Sequence, residues 1–165
     1  MTQNDTLNKF LRGKNMKKIA IASIIALAAT AASALEISTS AVRDYSGNPD
    51  RNGAGLSLTK RYGAVGVTAG VNSFTKGPND QDRYSVIAGY DVAKVGAFTV
   101  TPKLGVAYLD NRTSQDGYAM TVGAGVSTPI TKNVTLGLDV ARQYGQDRVQ
   151  AFDGNTVAVG LSYKF

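Results

Sequence analysis

From residue 35 onward, apolar and polar side chains alternate with a period of two, and no continuous apolar run reaches helix length. The pattern is sharpest between Thr156 and Phe165. Val157, Val159, Leu161, Tyr163 and Phe165 fall on one face of an extended chain, and Thr156, Ala158, Gly160, Ser162 and Lys164 fall on the other. The same split predicts seven earlier strands, over Leu35–Asp44, Ala54–Tyr62, Ala64–Asn72, Tyr84–Asp91, Phe98–Leu109, Tyr118–Ser127 and Val134–Tyr144. Strand five, for example, places Phe98, Val100, Pro102, Leu104, Val106 and Tyr108 together. Eight strands and no helix are expected after residue 34.

The connections alternate in character. Gly63 alone turns strand two into three, Val92 to Ala97 joins four to five, and Thr128 to Asn133 joins six to seven. Between these short turns lie longer polar segments: Ser46 to Asp50, Lys76 to Asp80, Asn111 to Gly117 and Gly145 to Asn155. Short turns at one end and longer loops at the other are the arrangement of an up-and-down barrel.

Either a soluble or a membrane barrel has one apolar face, so the chemistry of the other face decides between them. Here that face is built of small residues, with Gly55, Gly66, Gly70, Gly89, Gly105, Gly123, Gly125, Gly137 and Gly160 all falling on it. Such a surface would hydrate weakly, but it fits the lumen of an eight-stranded barrel, which is only just wide enough for side chains. The apolar face is then turned to lipid. Aromatic residues support this reading: Tyr62, Tyr90, Phe98, Tyr163 and Phe165 lie near the turn ends of the strands, and Tyr84, Tyr108, Tyr118 and Tyr144 near the loop ends. Together they form two girdles. A closed sheet is also required in lipid, because an open edge would leave backbone groups unpaired at several kcal/mol each.

The first 34 residues read differently. Lys17 and Lys18 precede an apolar run from Ile19 to Ala31, and Ala32-Ser33-Ala34 follows as an A-x-A cleavage site, with Ala32 and Ala34 the recognised small residues. The run is shorter than the ~20 residues a membrane-spanning helix needs. A cleavable signal peptide over 16–34, preceded by an N-terminal extension, therefore leads a barrel domain over 35–165. The signal proper starts at Met16, so an upstream start at Met1 is in question. Delivery by this signal puts the N-terminus of the barrel in the periplasm, the short turns on that side, and four loops outside.

Composition narrows the chemistry. The chain of 165 residues contains neither cysteine nor histidine, which excludes a disulfide framework, a lipoprotein anchor and a Cys/His metal site. Its net charge of +6 is concentrated in the leader: residues 35–165 hold 13 basic and 11 acidic side chains, which removes the case for nucleic-acid binding.

On these residues the chain resembles the small eight-stranded outer-membrane proteins of the OmpX and opacity type, over all of residues 35–165. The resemblance implies a Gram-negative outer membrane and export through the periplasm. It also implies a C-terminal signal, Leu161, Tyr163 and Phe165 with Val159, read by the barrel assembly machinery. Members with a peptidoglycan-binding domain continue past the barrel, and this chain is expected to lack that anchor.

Six charged residues fall on the inward face by parity: Glu36, Arg61, Asp91, Lys103, Asp139 and Lys164. Three acids balance three bases, which predicts an internal ionic network or, equally, a set of wetted lumen residues. Lys103 and Asp139 should sit near mid-height, and Glu36 and Lys164 near the turn end of the seam between the first and last strands. On the lipid face the exceptions are Arg43, Lys60 and Arg142, each near a strand end, where long basic side chains snorkel. Arg43 and Arg142 lie at the outer rim, where lipopolysaccharide phosphates are candidate partners alongside a generic anchoring role.

Three classes of function follow. The first is a structural or surface-interaction protein, a monomeric barrel that holds out short loops of mixed charge: Asp50, Asp80, Asp82, Asp110, Asp116, Asp147 and Asp153 with Arg51, Lys76, Arg83, Arg112 and Arg148. The second is a narrow passive pore for ions or small solutes. The third, a lipid-modifying enzyme, is disfavoured because barrels of that kind use a histidine beside a serine and this chain has none. No cofactor is expected.

Overall fold

A computed structural model describes residues 35–45, 50–75, 81–111, 116–145 and 153–165. The leader, with Ala32 and Ala34, lies outside the described residues, as do loop residues Lys76, Asp80, Arg112, Asp147 and Arg148.

The described chain is all β. Its strands are β1 (Leu35–Asp44), β2 (Arg51–Tyr62), β3 (Val65–Thr75), β4 (Gln81–Tyr90), β5 (Ala93–Val95), β6 (Phe98–Asn111), β7 (Gly117–Pro129), β8 (Val134–Gly145) and β9 (Gly154–Lys164). Neighbours pair antiparallel around a ring that β1 and β9 close. The barrel has eight staves, because β5 is a three-residue continuation of β4. Following one row of pairings from Leu35 through Lys60, Val67, Ala88, Leu104, Val122, Arg142 and Asn155 leads back to Tyr45, ten residues further along the first strand's line. That stagger tilts the strands by about 40°. At such a tilt ~9–11 residues cross a bilayer core, and the eight staves are 10 to 14 residues long.

The turns refine two expectations. Gly63 does not turn the chain alone: Gly63–Ala64 form a two-residue loop between the paired Tyr62 and Val65, with Gly63 at φ 63°. Gly96–Ala97 repeat it between Val95 and Phe98, with Gly96 at φ 61°. Glycine at the first position supplies the positive φ a tight hairpin needs. The expected Val92–Ala97 turn is therefore a short hairpin preceded by a bulge. Gly89 pairs with Lys103 and Ala93 with Val100, so three residues of one strand face two of the other. Pro102 explains the bulge. The Val92 N–H donates to the Val100 carbonyl at 3.0 Å, so Val100, and two residues on Pro102, turn their backbone groups toward this strand; Pro102 has no N–H to offer. At the third turn Thr131 Oγ1 accepts from the Asn133 and Val134 amides, at 3.2 and 3.0 Å, and Asn133 Nδ2 donates to the Lys164 carbonyl at 2.8 Å.

The outward surface carries the large apolar side chains, among them Leu56, Leu104, Val106, Leu138, Val159 and Leu161, all exposed. Both aromatic girdles lie on it. At the loop end Tyr84, Tyr108 and Tyr118 are paired in a row, and the rings of the last two are 5.3 Å apart. Most of the large buried side chains instead lie in the loop-end half of the lumen, among them Val42, Asp44, Phe74, Gln81, Arg83, Leu109, Thr121, Gln143 and Thr156, while Ala69 and Tyr108 are buried on the outward face by their neighbours.

Candidate functional site

The lumen is divided into two halves of different chemistry. Toward the turn end, Arg61 of β2 is held between two carboxylates. Its Nε donates to Glu36 Oε1 and its Nη1 to Asp91 Oδ2, each at 2.7 Å. Asp91 also accepts from Thr101 Oγ1 at 2.7 Å. The row crossing β3 and β4 from Arg61 is Gly66 and Gly89. Asp91, two residues past Gly89 and just before the hairpin, is directed inward to Arg61. Glu36 and Lys164 are paired across the β1–β9 seam, but Glu36 turns to Arg61, and Lys164 is exposed.

At mid-height Lys103 Nζ donates to Asp139 Oδ1 across β7. They pair in the ladder with Gly123 and Gly125 respectively. A Cβ on Gly125 would collide with the Asp139 carboxylate and lie 3.1 Å from Lys103 Nζ, so the ion pair occupies the space a side chain would take. With Lys103 31 % and Asp139 43 % exposed, the pair is wet and each charge is screened. Lys103→Met and Asp139→Asn are accordingly expected to couple by about 0.5–1 kcal/mol in a double-mutant cycle of unfolding. Purely additive losses would mean that water alone satisfies the two groups.

The loop-end half departs from the expectation of a lumen lined by small residues and six charges. Asp44, Arg51 and Arg83 also point inward. The strands run about three residues past their expected ends, so Arg51, Asp82, Arg83 and Asp110 belong to the sheet instead of to loops. Arg83 Nη2 donates to Asp44 Oδ2 at 2.6 Å, with the two side chains 3 % and 0 % exposed. The Arg83 guanidinium also lies 4.7 Å over the Phe74 ring. Gly53 opposes Phe74 in the ladder, and a Cβ there would sit 2.7 Å from the ring, so this glycine makes room for it. Arg51 Nη1 donates to Gln81 Oε1 at 2.8 Å. Phe74, Leu109, Val42 and the Arg83–Asp44 pair thus fill this end of the barrel. Alternation did signal these residues: Gln81, Arg83, Ser85 and Ile87 keep one parity, as do Val42 and Asp44. They were missed because apolar contrast, which marks lipid-facing positions, reverses above the lipid.

On the outward face each basic residue stacks on an aromatic ring two positions further along its strand. Arg43 lies 5.3 Å from Tyr45, Lys60 5.5 Å from Tyr62 and Arg142 5.4 Å from Tyr144. Arg43 and Arg142 flank β9 at the loop end, opposite Val157 and Asn155 respectively, and Arg43 also meets Asp50 at 3.1 Å. Lys60 belongs to the turn end. Leu161, Tyr163 and Phe165 are all exposed on the outward face, and the last two rings make an edge contact at 5.0 Å.

No protein-family profile matches the chain, and no curated protein does either. Solved structures do. Neisserial surface protein A is 17 % identical, with a TM-score of 0.60 over 79 % of this chain and 96 % of its own. The N-terminal β-barrel domain of Pseudomonas aeruginosa OprF is 18 % identical, with a TM-score of 0.62 over 79 % and 96 %. Ail, the attachment invasion locus protein of Yersinia pestis, is 16 % identical, with a TM-score of 0.53 over 81 % and 97 %. A de novo designed transmembrane barrel matches too, at 11 % identity and a TM-score of 0.55. The chain has the fold of the small eight-stranded outer-membrane barrels, as expected from its sequence. Because a designed protein shares that fold, fold alone specifies no ligand.

Proposed function

We propose that this protein is an integral barrel of a bacterial outer membrane with a structural or surface-interaction role, holding four short loops outside the cell. The filled loop-end half of the lumen carries this reading: Phe74, Leu109 and the Arg83–Asp44 pair stand where a solute would have to pass. Export through the periplasm, removal of the leader after Ala34 and insertion by the barrel assembly machinery complete the proposal. A passive pore is the second reading, and the half-exposed Lys103–Asp139 pair at mid-height of the lumen favours it. Single-channel recording of the refolded protein in planar bilayers separates the two. Under the structural reading a folded barrel, verified by heat-modifiable gel migration, conducts nothing. Steady conductance that changes on neutralising Asp139 or Lys103 would overturn it.

The outer lipid leaflet is the proposed partner of the rim. Arg43 and Arg142, braced by Tyr45 and Tyr144 on either side of β9, offer two guanidiniums to lipopolysaccharide phosphates. The double replacement Arg43→Gln with Arg142→Gln is expected to weaken retention of lipopolysaccharide on the folded barrel several-fold at low salt. Equal retention by both proteins would leave the arginines as interfacial anchors only.

A further inference from the structure

Four polar atoms in the filled half of the lumen are shut away from solvent and meet no partner among the described residues: Gln81 Nε2, Arg83 Nε, Thr121 Oγ1 and Gln143 Oε1. Their residues are all at least nine-tenths buried. Polar groups left dry in this way cost desolvation free energy with no return, and native structures satisfy them, commonly with enclosed water. Their arrangement is ordered. Gln81 and Arg83 are successive inward residues of β4 and offer two N–H donors. Thr121 and Gln143 face each other across the β7–β8 ladder and offer two oxygens. An anion would serve the donors and leave Gln143 Oε1 bare, and a cation would be repelled by Arg83.

A ligand that both accepts and donates suits all four, and water is the smallest. We propose that the plug contains a sealed hydration site, in which enclosed water molecules accept from Gln81 and Arg83 on one wall and donate to Thr121 and Gln143 on the other. The water then ties β4 to the β7–β8 wall, which share no ladder. The site is independent of any ligand bound at the surface. It also differs from the solvent-open ionic groups at the turn end, because its waters cannot exchange without an opening of the barrel.

Two measurements on the full chain, refolded in detergent, decide the matter. In the unaltered protein, nuclear Overhauser contacts are expected between long-lived water and the side-chain amide protons of Gln81 and Gln143; their absence overturns the site. Thr121→Val, which keeps the side-chain volume, is expected to raise the unfolding rate about five- to tenfold, as loss of one hydrogen bond does. A lower rate for Thr121→Val would show a dry oxygen relieved of its burial, and would overturn the proposal. Combined with Gln81→Met, the valine variant should cost less than the two separate losses, because the first change already releases the shared water. Strict additivity would reduce the Thr121–Gln143 pair to a local contact and remove the bridge.

Discussion

Arg83→Met is expected to destabilise the folded barrel by about 3–5 kcal/mol, because it removes the guanidinium that faces the Asp44 carboxylate at a position closed to bulk solvent. The geometry leaves little room for relief: the pair is 2.6 Å long and essentially inaccessible. Unlike Lys103 and Asp139, neither partner can turn to solvent when the other is lost. Urea unfolding in lipid vesicles, followed by the shift between folded and unfolded bands on a gel, measures the change. Arg83→Met with Asp44→Asn should recover a substantial part of the loss, since the buried carboxylate charge is then gone as well. A loss below about 1 kcal/mol for Arg83→Met alone would mean that Arg51, the ladder partner of Asp44, takes over the carboxylate.

Phe74→Ala should cost a similar amount, about 3–5 kcal/mol, as large-to-small changes at buried aromatics do. The ring is 1 % exposed and is bounded by the bare backbone of Gly53 and the Arg83 guanidinium. Neither can collapse to fill the space: Gly53 has no side chain, and Arg83 is tethered to Asp44. The same variant reports on permeation. If the plug is what closes the barrel, Phe74→Ala should raise single-channel conductance above that of the parent, whereas an unchanged silent barrel would place the barrier in Leu109 and the ionic pair. Loss of stability without a detectable cavity effect, under about 1 kcal/mol, would contradict the burial of this ring.

The sites that were hardest to read from sequence share one physical cause. In the lipid zone the outward face is apolar and the lumen is small or charged, so a two-residue contrast marks every strand, and the nine glycines named by parity all fall inside. Beyond the lipid edge the backbone ladder continues, but the outward face becomes Asn52, Ser73, Asp82 and Asp110 while Phe74 and Leu109 turn inward. Polar residues there resemble loop residues, although their backbones remain paired. Pro102 was visible on the outward face, but its effect depends on which neighbour its missing N–H faces.

What the sequence determined by itself was the barrel: strand count, the inward or outward parity of side chains, and the placement of aromatic and basic residues near strand ends. These follow from the chain's two-residue period and from the need to satisfy every backbone group, both of which are local rules. Tertiary structure alone decided the stagger of ten residues, and with it which inward charges meet. Glu36 joins Arg61 instead of its seam neighbour Lys164, Lys103 reaches Asp139 over glycines two strands away, and Arg83 finds Asp44 across two intervening strands. Parity says that a side chain enters the lumen; only the closure of the sheet sets its height and the side chains that share it.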